Sequence, residues 1–112
     1  MAAEYKELPC GYYNVKIESC ERMTSKGGNP MLQVKARVAD GEYKGRLHFI
    51  YQMTKSEVGA GIADNYLKYS MLFKGEILRM SKYEKESGSR VYTNYRFYLT
   101  DDQQARFDVQ FA

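Results

Sequence analysis

Apolar and polar residues alternate along three stretches in the first half of the chain. The apolar positions are Tyr13, Val15 and Ile17, then Leu32, Val34, Ala36 and Val38, and then Leu47, Phe49 and Tyr51. A period of two over several residues predicts a β-strand with one buried and one solvated face. The intervening residues are polar and several are basic. We therefore expect a sheet with a core on one side and a cationic surface on the other.

The segment after the third strand has helical periodicity. It opens with Thr54-x-x-Glu57, which has the form of a capping box. A stripe of apolar residues then recurs at helical spacing: Val58, Ile62, Tyr66, Tyr69 and Phe73. Because Gly59 and Gly61 weaken the first turns, we expect the helix to be firm from Ala63 onward.

The last part of the chain returns to alternation. Residues 76–100 predict a hairpin whose turn is the charged stretch Tyr83–Arg90. On the return strand one predicted face holds Val91, Thr93, Tyr95, Phe97 and Leu99, and the other holds Tyr92, Asn94, Arg96 and Tyr98. The alternation of Phe107, Val109 and Phe111 predicts a last strand, whose open edge would allow pairing with a second copy and hence a homo-oligomer.

Turn signals join these elements into one mainly β domain over residues 1–112. Gly27-Gly28-Asn29-Pro30 predicts a flexible polar loop over Glu21–Pro30, and Asp40-Gly41 predicts a hairpin between strands two and three. Six short strands with one helix between the third and the fourth resemble the order of the oligonucleotide-binding (OB) barrel. We therefore expect a small antiparallel OB-like barrel.

Composition narrows the function. The chain has a formal net charge of +3, which permits nucleic-acid binding without requiring it. Its eleven tyrosines fit either sheet packing or the stacking of bases. Cys10 and Cys20 flank the first strand, beyond the ~7 Å reach of a disulfide, so free thiols in a reducing compartment are expected. Neither a signal peptide nor a run of ~20 apolar residues is visible, which favours a soluble intracellular protein without a membrane partner.

The residues for most catalytic or metal chemistry are missing. His48 is the single histidine, and its place between apolar positions of strand three predicts a solvent-facing side chain. The cysteines lack zinc-site spacing, and no phosphate-binding glycine loop occurs. We therefore expect a protein that is not an enzyme and that uses no cofactor and no metal.

A binding face remains as the candidate site. Basic residues interleaved with tyrosines are what a single strand requires, because cations neutralise phosphates and rings stack on bases. The candidate nucleic-acid contacts are Tyr12, Lys16, Lys35, Arg37, Lys44, Arg46, Tyr92, Arg96 and Tyr98.

Three motifs carry a resemblance to a known family. They are Gly11-x-Tyr13-x-Val15-x-Ile17, Gly28-x-Pro30-x-Leu32, and the run from Asp40 to Arg46, DGEYKGR. Together they resemble a family of small phage proteins, classified as domains of unknown function and often regarded as single-stranded DNA-binding proteins. Among the matched residues, the resemblance implies DNA contacts at Lys44 and Arg46.

The resemblance implies a sequence-independent phage single-stranded DNA-binding protein. It would act in DNA replication or recombination in the cytoplasm of the infected bacterial host, with a host or phage replication protein as a further partner. The alternative is a small phage protein that binds and inhibits a host protein, such as the effector of a defence system. In that case the tyrosines would be interface anchors.

Overall fold

The computed structural model describes residues 8–111, which form a five-stranded antiparallel sheet and two helices. The elements are β1 Gly11–Thr24, β2 Pro30–Val38, β3 Leu47–Met53, α1 Glu57–Leu72, β4 Leu78–Ser87, β5 Arg90–Tyr98 and α2 Asp101–Gln110. The mainly β class is confirmed, as is a helix between the third and fourth strands. Both cysteines are free thiols, as expected from their spacing.

Strand β1 organises the sheet, whose order is β3-β2-β1-β4-β5. Its first part pairs with β4 over Gly11–Val15, and its longer second part pairs with β2 from Val15 onward. Strands β3 and β5 are the two edges, yet they approach each other, because His48 Nε2 on β3 lies 2.7 Å from Tyr95 Oη on β5. The sheet is therefore curled toward a barrel. Its two edge strands are connected by side chains and not by a backbone ladder of the described strands.

The core lies between the concave face of the sheet and α1. The sheet contributes the buried side chains of Val15, Ile17, Leu32, Val34, Ala36, Val38, Ile50, Leu78 and Met80. Helix α1 adds Ala63 and Tyr66, and Phe73 follows at its C-cap. Each large apolar side chain stabilises the fold by about 1.5–3 kcal/mol when fully buried.

The phase predicted for β3 was wrong. His48 and Ile50 face the core, at 2% exposure each, whereas Tyr51 is 53% exposed. The reason is the register with β2. The buried Ala36 pairs with His48, and the buried residue two positions before Ala36 pairs with Ile50. A shift of one residue exchanges the two faces of a strand. The expected solvent-facing histidine is instead a buried one that interacts with the Tyr95 hydroxyl.

The start and buried face of α1 also differ from the prediction. The cap is Ser56, whose Oγ accepts a hydrogen bond from Gly59 N, and the helix is formed from Glu57. Val58 is 75% exposed and Ile62 is 37% exposed, so the first half of the predicted stripe is not core. Gly59 is buried instead, because its lack of a side chain lets the helix approach the end of β3.

Both predicted loops are largely strand. β1 and β2 stay paired as far as Thr24 and Pro30, so the expected flexible loop over 21–30 is a hairpin with a short turn. β4 and β5 pair up to Ser87 and Arg90, and Gly88, at φ +63°, opens the two-residue turn. These ribbons are solvated on both faces, so they need no apolar alternation. We call the exposed ribbon of residues 83–94 the β4–β5 arm.

The predicted last strand is wrong, because residues 101–110 form α2. Thr100 and Gln103 make a complete capping box, and two aspartates occupy the first turn, where a helix favours negative charge. Phe107 and Phe111 are one helical turn apart, with ring centroids 5.0 Å from each other. The edge strand that was expected to support pairing with a second copy is thus absent from this segment.

Helix α2 is fastened to the start of β4. Gln103 Nε2 donates a hydrogen bond to Ile77 O at 3.0 Å, and the Arg106 guanidinium binds the Glu76 carboxylate in a fork, with Nη1 2.9 Å from Oε2. The Phe107 ring lies 5.6 Å from that of Tyr69 on α1. Because both helices are held on one side, the opposite face of the sheet stays open.

Candidate functional site

The outward face of β1, β4 and β5 carries a row of tyrosines and arginines. The rings of Tyr12 and Tyr98 lie 6.0 Å apart between centroids, and the guanidinium of Arg79 lies 5.4 Å from the Tyr12 centroid. At the other side, the Arg96 guanidinium lies 5.2 Å from the Tyr98 centroid. We call these four residues the Arg–Tyr row.

Strand register assembles this row. On β4 the core side chain Leu78 faces inward, so Arg79 faces outward, where it pairs with Asn14 of β1 and Tyr98 of β5. Arg79 Nη1 also donates a 3.3 Å hydrogen bond to Asn14 Oδ1, which fixes its position. Tyr12 is 63% exposed and Tyr98 is 36% exposed, so both rings present surface to a ligand.

A basic groove continues from the row along β1. Lys16 is the next outward residue after Asn14, and it lines a groove of about 580 Å³ together with Arg37, Lys44 and Lys74. These four residues define the basic groove, which is also lined by residues of the middle of β1 and the end of β2. Among residues 8–111, no carboxylate forms a salt bridge with any of the three lysines. The lysines are therefore available to an anion.

One carboxylate in the groove, that of Glu18, pairs with its arginine. Glu18 binds Arg37, with Oε2 2.6 Å from Nε, and lies 3.8 Å from Lys35 Nζ. The hydrogen bond from Arg37 holds the pKa of Glu18 below its usual range. Arg37 Nη1 also donates to Gly45 O at 2.8 Å, so this guanidinium is a fixed part of the wall.

The predicted site residues separate into groups. Six lie on the Arg–Tyr row or the basic groove: Tyr12, Lys16, Arg37, Lys44, Arg96 and Tyr98. Lys35 lies outward on β2 beside Glu18. The Arg46 guanidinium lies 4.8 Å from the Tyr43 ring centroid, and Tyr92 is exposed on the β4–β5 arm. The structure thus gathers most of the expected cations and rings, but not Lys35, Arg46 or Tyr92.

Sequence reasoning left out four residues on the same outward surface. Arg79 and Lys74 belong to the row and the groove, respectively. Phe49 and Tyr51, assigned to the core by the wrong phase of β3, form a stacked pair at 6.4 Å on the outward face. The inward phase of β4, set by Leu78, is the signal that could have identified Arg79.

The charge of the outward face is mostly positive. On the described strands its carboxylates are Glu18 and Glu21, whereas lysines or arginines occupy outward positions on β1, β2, β4 and β5. Within residues 8–111, no helix has the length and apolar character to cross a membrane. In the same range, no cluster of three or more histidine, cysteine, aspartate or glutamate side chains is arranged to hold a metal ion.

Comparison with known proteins gives one family match. The sequence model of DUF669, described as a protein of unknown function, matches residues 1–74. The match spans β1 to α1 and therefore includes the lysines and the arginine of the basic groove, but it stops before β4 and β5. No curated protein matches the chain.

Proposed function

We propose that this chain, which belongs to the DUF669 family of unknown function, binds single-stranded DNA on the outward face of its sheet. The Arg–Tyr row is the observation that carries the proposal. Two exposed rings lie side by side there with a guanidinium at each end, at 5.2–6.0 Å between neighbours, and the row leads into the basic groove. The strand order and the helix position are compatible with the OB arrangement, which commonly binds oligonucleotides.

The physical mechanism divides between phosphates and bases. Lys16, Lys44 and Lys74 would neutralise phosphates in the basic groove, and binding would release the counterions condensed on the strand. The rings of Tyr12 and Tyr98 would stack on bases, each contributing about 1–3 kcal/mol. Bases in a duplex are already stacked and paired, so the rings favour a single strand. Since neither contact reads a base edge, this surface should be insensitive to sequence.

The biological setting is part of the proposal. The resemblance of the turn motifs to small phage proteins supports a role in phage DNA replication or recombination, in the cytoplasm of an infected bacterium. A replication protein of phage or host is the expected further partner of such a role.

The test is fluorescence anisotropy with labelled oligo(dT) and with a duplex of equal length. We expect oligo(dT) to bind more tightly than the duplex at every salt concentration. Tyr98→Ala should weaken binding about 5- to 150-fold, the equivalent of 1–3 kcal/mol. Tyr98→Phe is the matched control, because it keeps the ring and should bind like the unmodified protein. Equal affinity for single strand and duplex, or an unaffected Tyr98→Ala, would refute the proposal.

A salt series separates the groove from the row. For single strands the slope of log K against log salt changes by about 0.7 for each phosphate contact. The double substitution Lys16→Ala/Lys74→Ala should therefore reduce the slope by about 1.4. Lys55→Ala removes an exposed lysine outside the groove and should leave the slope unchanged. An unchanged slope in the double variant would remove the basic groove from the proposed interface.

A further inference from the structure

A second concave feature lies at the seam where the two edge strands approach. It is a cleft of about 300 Å³ between β3, α1 and β5, and Tyr83 of the β4–β5 arm closes one side. Each edge strand also has a row of backbone N–H and C=O groups outside the ladders of the described sheet. The seam therefore offers a shaped and polar cavity rather than a flat surface.

The wall on the α1 side contains the side chain of a buried tyrosine. Tyr66 is 5% exposed and lines the cleft, and among residues 8–111 its hydroxyl has no hydrogen-bond partner. Burial raises the pKa of Tyr66 to about 12, with the neighbouring Tyr69 and Tyr83 as smaller causes. The hydroxyl therefore stays protonated at physiological pH and can donate. Because this hydroxyl makes no hydrogen bond within residues 8–111 and faces the cleft, it is free to contact a ligand there.

Side-chain amides provide further polar groups beside the Arg96 guanidinium. Asn65 lies on α1 and Asn94 on β5, and neither amide has a hydrogen-bond partner within the described chain. Gln52 on β3 donates its amide N–H to Met53 O, at 3.0 Å, which leaves its carbonyl oxygen as an acceptor. The described residues that line the cleft include no carboxylate, and Arg96 is their one cation. Neutral donors and acceptors set between aromatic rings suit a planar, uncharged ring system that carries both kinds of group, and the guanidinium suits a phosphate attached to it.

We infer that this cleft binds a single nucleobase. The volume is at the lower end of the range for small-molecule pockets, about 300–1,000 Å³, and proteins commonly read unpaired bases by aromatic stacking and by hydrogen bonds to their edges. Tyr66 and the amides of Asn65 and Asn94 would contact the base edge, and the tyrosine rings of the cleft would contact its faces. The inference concerns base recognition, which the outward face does not provide.

The position of the cleft connects it to the proposed strand-binding surface. Tyr83 and Arg96 line the cleft and also the shallow cavity beside Tyr12 and Tyr98. A base leaving the Arg–Tyr row would pass Arg96 to enter the cleft, with its phosphate near the guanidinium. This arrangement rests on the proposed function, and it would add a base preference to otherwise unspecific binding. A free nucleotide presents the same base chemistry, so the experiment must distinguish the two sources.

The direct readout is the pair of side-chain amide signals of Asn65 and Asn94 in ¹H–¹⁵N NMR spectra. We expect both signals to shift on addition of short oligo(dT) and to stay in place with an abasic strand of equal length. Thymidine monophosphate is the third arm, and shifts with it alone would identify a free nucleotide as the source. In that case the cleft assignment would stand while the proposed function failed.

Substitutions test the same inference by affinity. Asn65→Ala/Tyr66→Phe should weaken oligo(dT) binding about tenfold, since two hydrogen bonds are lost, and should leave the abasic strand unaffected. Ile62→Trp places a large ring at the rim and should weaken binding likewise. Val58→Trp, one turn earlier and outside the cleft, is its matched control and should have no effect. If oligo(dT) binds but neither the amide signals nor these variants respond, the cleft is not a base site and the proposed function is untouched.

Discussion

Two glycines of α1 provide the sharpest test of the packing that supports the site. A Cβ added to Gly59 would lie 2.2 Å from Met53 O, well short of the 3.4–4 Å of ordinary contact, whereas a Cβ on Gly61 would meet none of the described residues within 4 Å. The two positions are in the same helix and two residues apart. Gly59→Ala and Gly61→Ala therefore differ chiefly in what the added methyl group meets.

The magnitudes follow from two opposing terms. Alanine gains up to about 1 kcal/mol over glycine in a helix, at both positions. Overpacking against a fixed backbone atom costs about 1–3 kcal/mol, and only Gly59 incurs it. We therefore expect Gly61→Ala to stabilise the fold by up to about 1 kcal/mol, and the free energies of unfolding of the two variants to differ by about 1–3 kcal/mol.

The assay is urea unfolding followed by far-ultraviolet circular dichroism, with both variants measured against the unmodified protein. The slope m should be equal for all three, so that the midpoints report stability. If both alanine variants were stabilised to the same extent, the start of α1 would not press against the end of β3. The wall of the cleft formed by α1 would then not be positioned by a contact with β3.

Three further outcomes follow from individual contacts. The hydrogen bond from its arginine partner on α2 lowers the pKa of Glu76. The ion pair therefore stabilises the fold above the normal glutamate pKa, and this contribution is lost as the pH falls through the lowered pKa. The difference in melting temperature between the unmodified protein and Glu76→Gln should vanish at acid pH. Tyr95→Phe removes a partner of buried His48 and should destabilise the fold by about 1–3 kcal/mol in urea unfolding, and an unchanged midpoint would contradict the seam contact. Partial burial raises the pKa of the Cys20 thiol, so a thiol reagent should modify exposed Cys10 faster than Cys20 in the folded protein; equal rates would contradict that burial.

The alternation of apolar and polar residues predicted those strands that have one solvated and one buried face. β2 is such a strand, and its alternating buried residues were identified correctly. β3 was not, because Leu47, Phe49 and Tyr51 are more apolar than the set that contains His48. Only the register with β2 and the hydroxyl of Tyr95 explain why a histidine is buried there, and both are tertiary facts that one strand does not contain.

The candidate site was predictable to the same extent. Tyr12, Arg96 and Tyr98 were predicted correctly as outward residues, because the alternation of β1 and β5 was interpreted in the correct phase. Lys74 was missed because it follows a helix, and only the chain path brings it beside the middle of β1. The cleft could not be predicted at all, since it forms between two strands that no ladder of the described sheet joins.

The pairing of β1 has a mechanical consequence. Val15 is the one described residue of β1 with a Cα partner on both neighbouring strands, Val38 on one side and Leu78 on the other. The sheet is thus two smaller sheets that share one Cα-paired rung, with the Arg–Tyr row on one leaf and the Phe49–Tyr51 pair on the other, and the His48–Tyr95 contact joins their far edges. A ligand that spans both leaves would add to this contact in fixing the angle between them, whereas one that touches a single leaf would not.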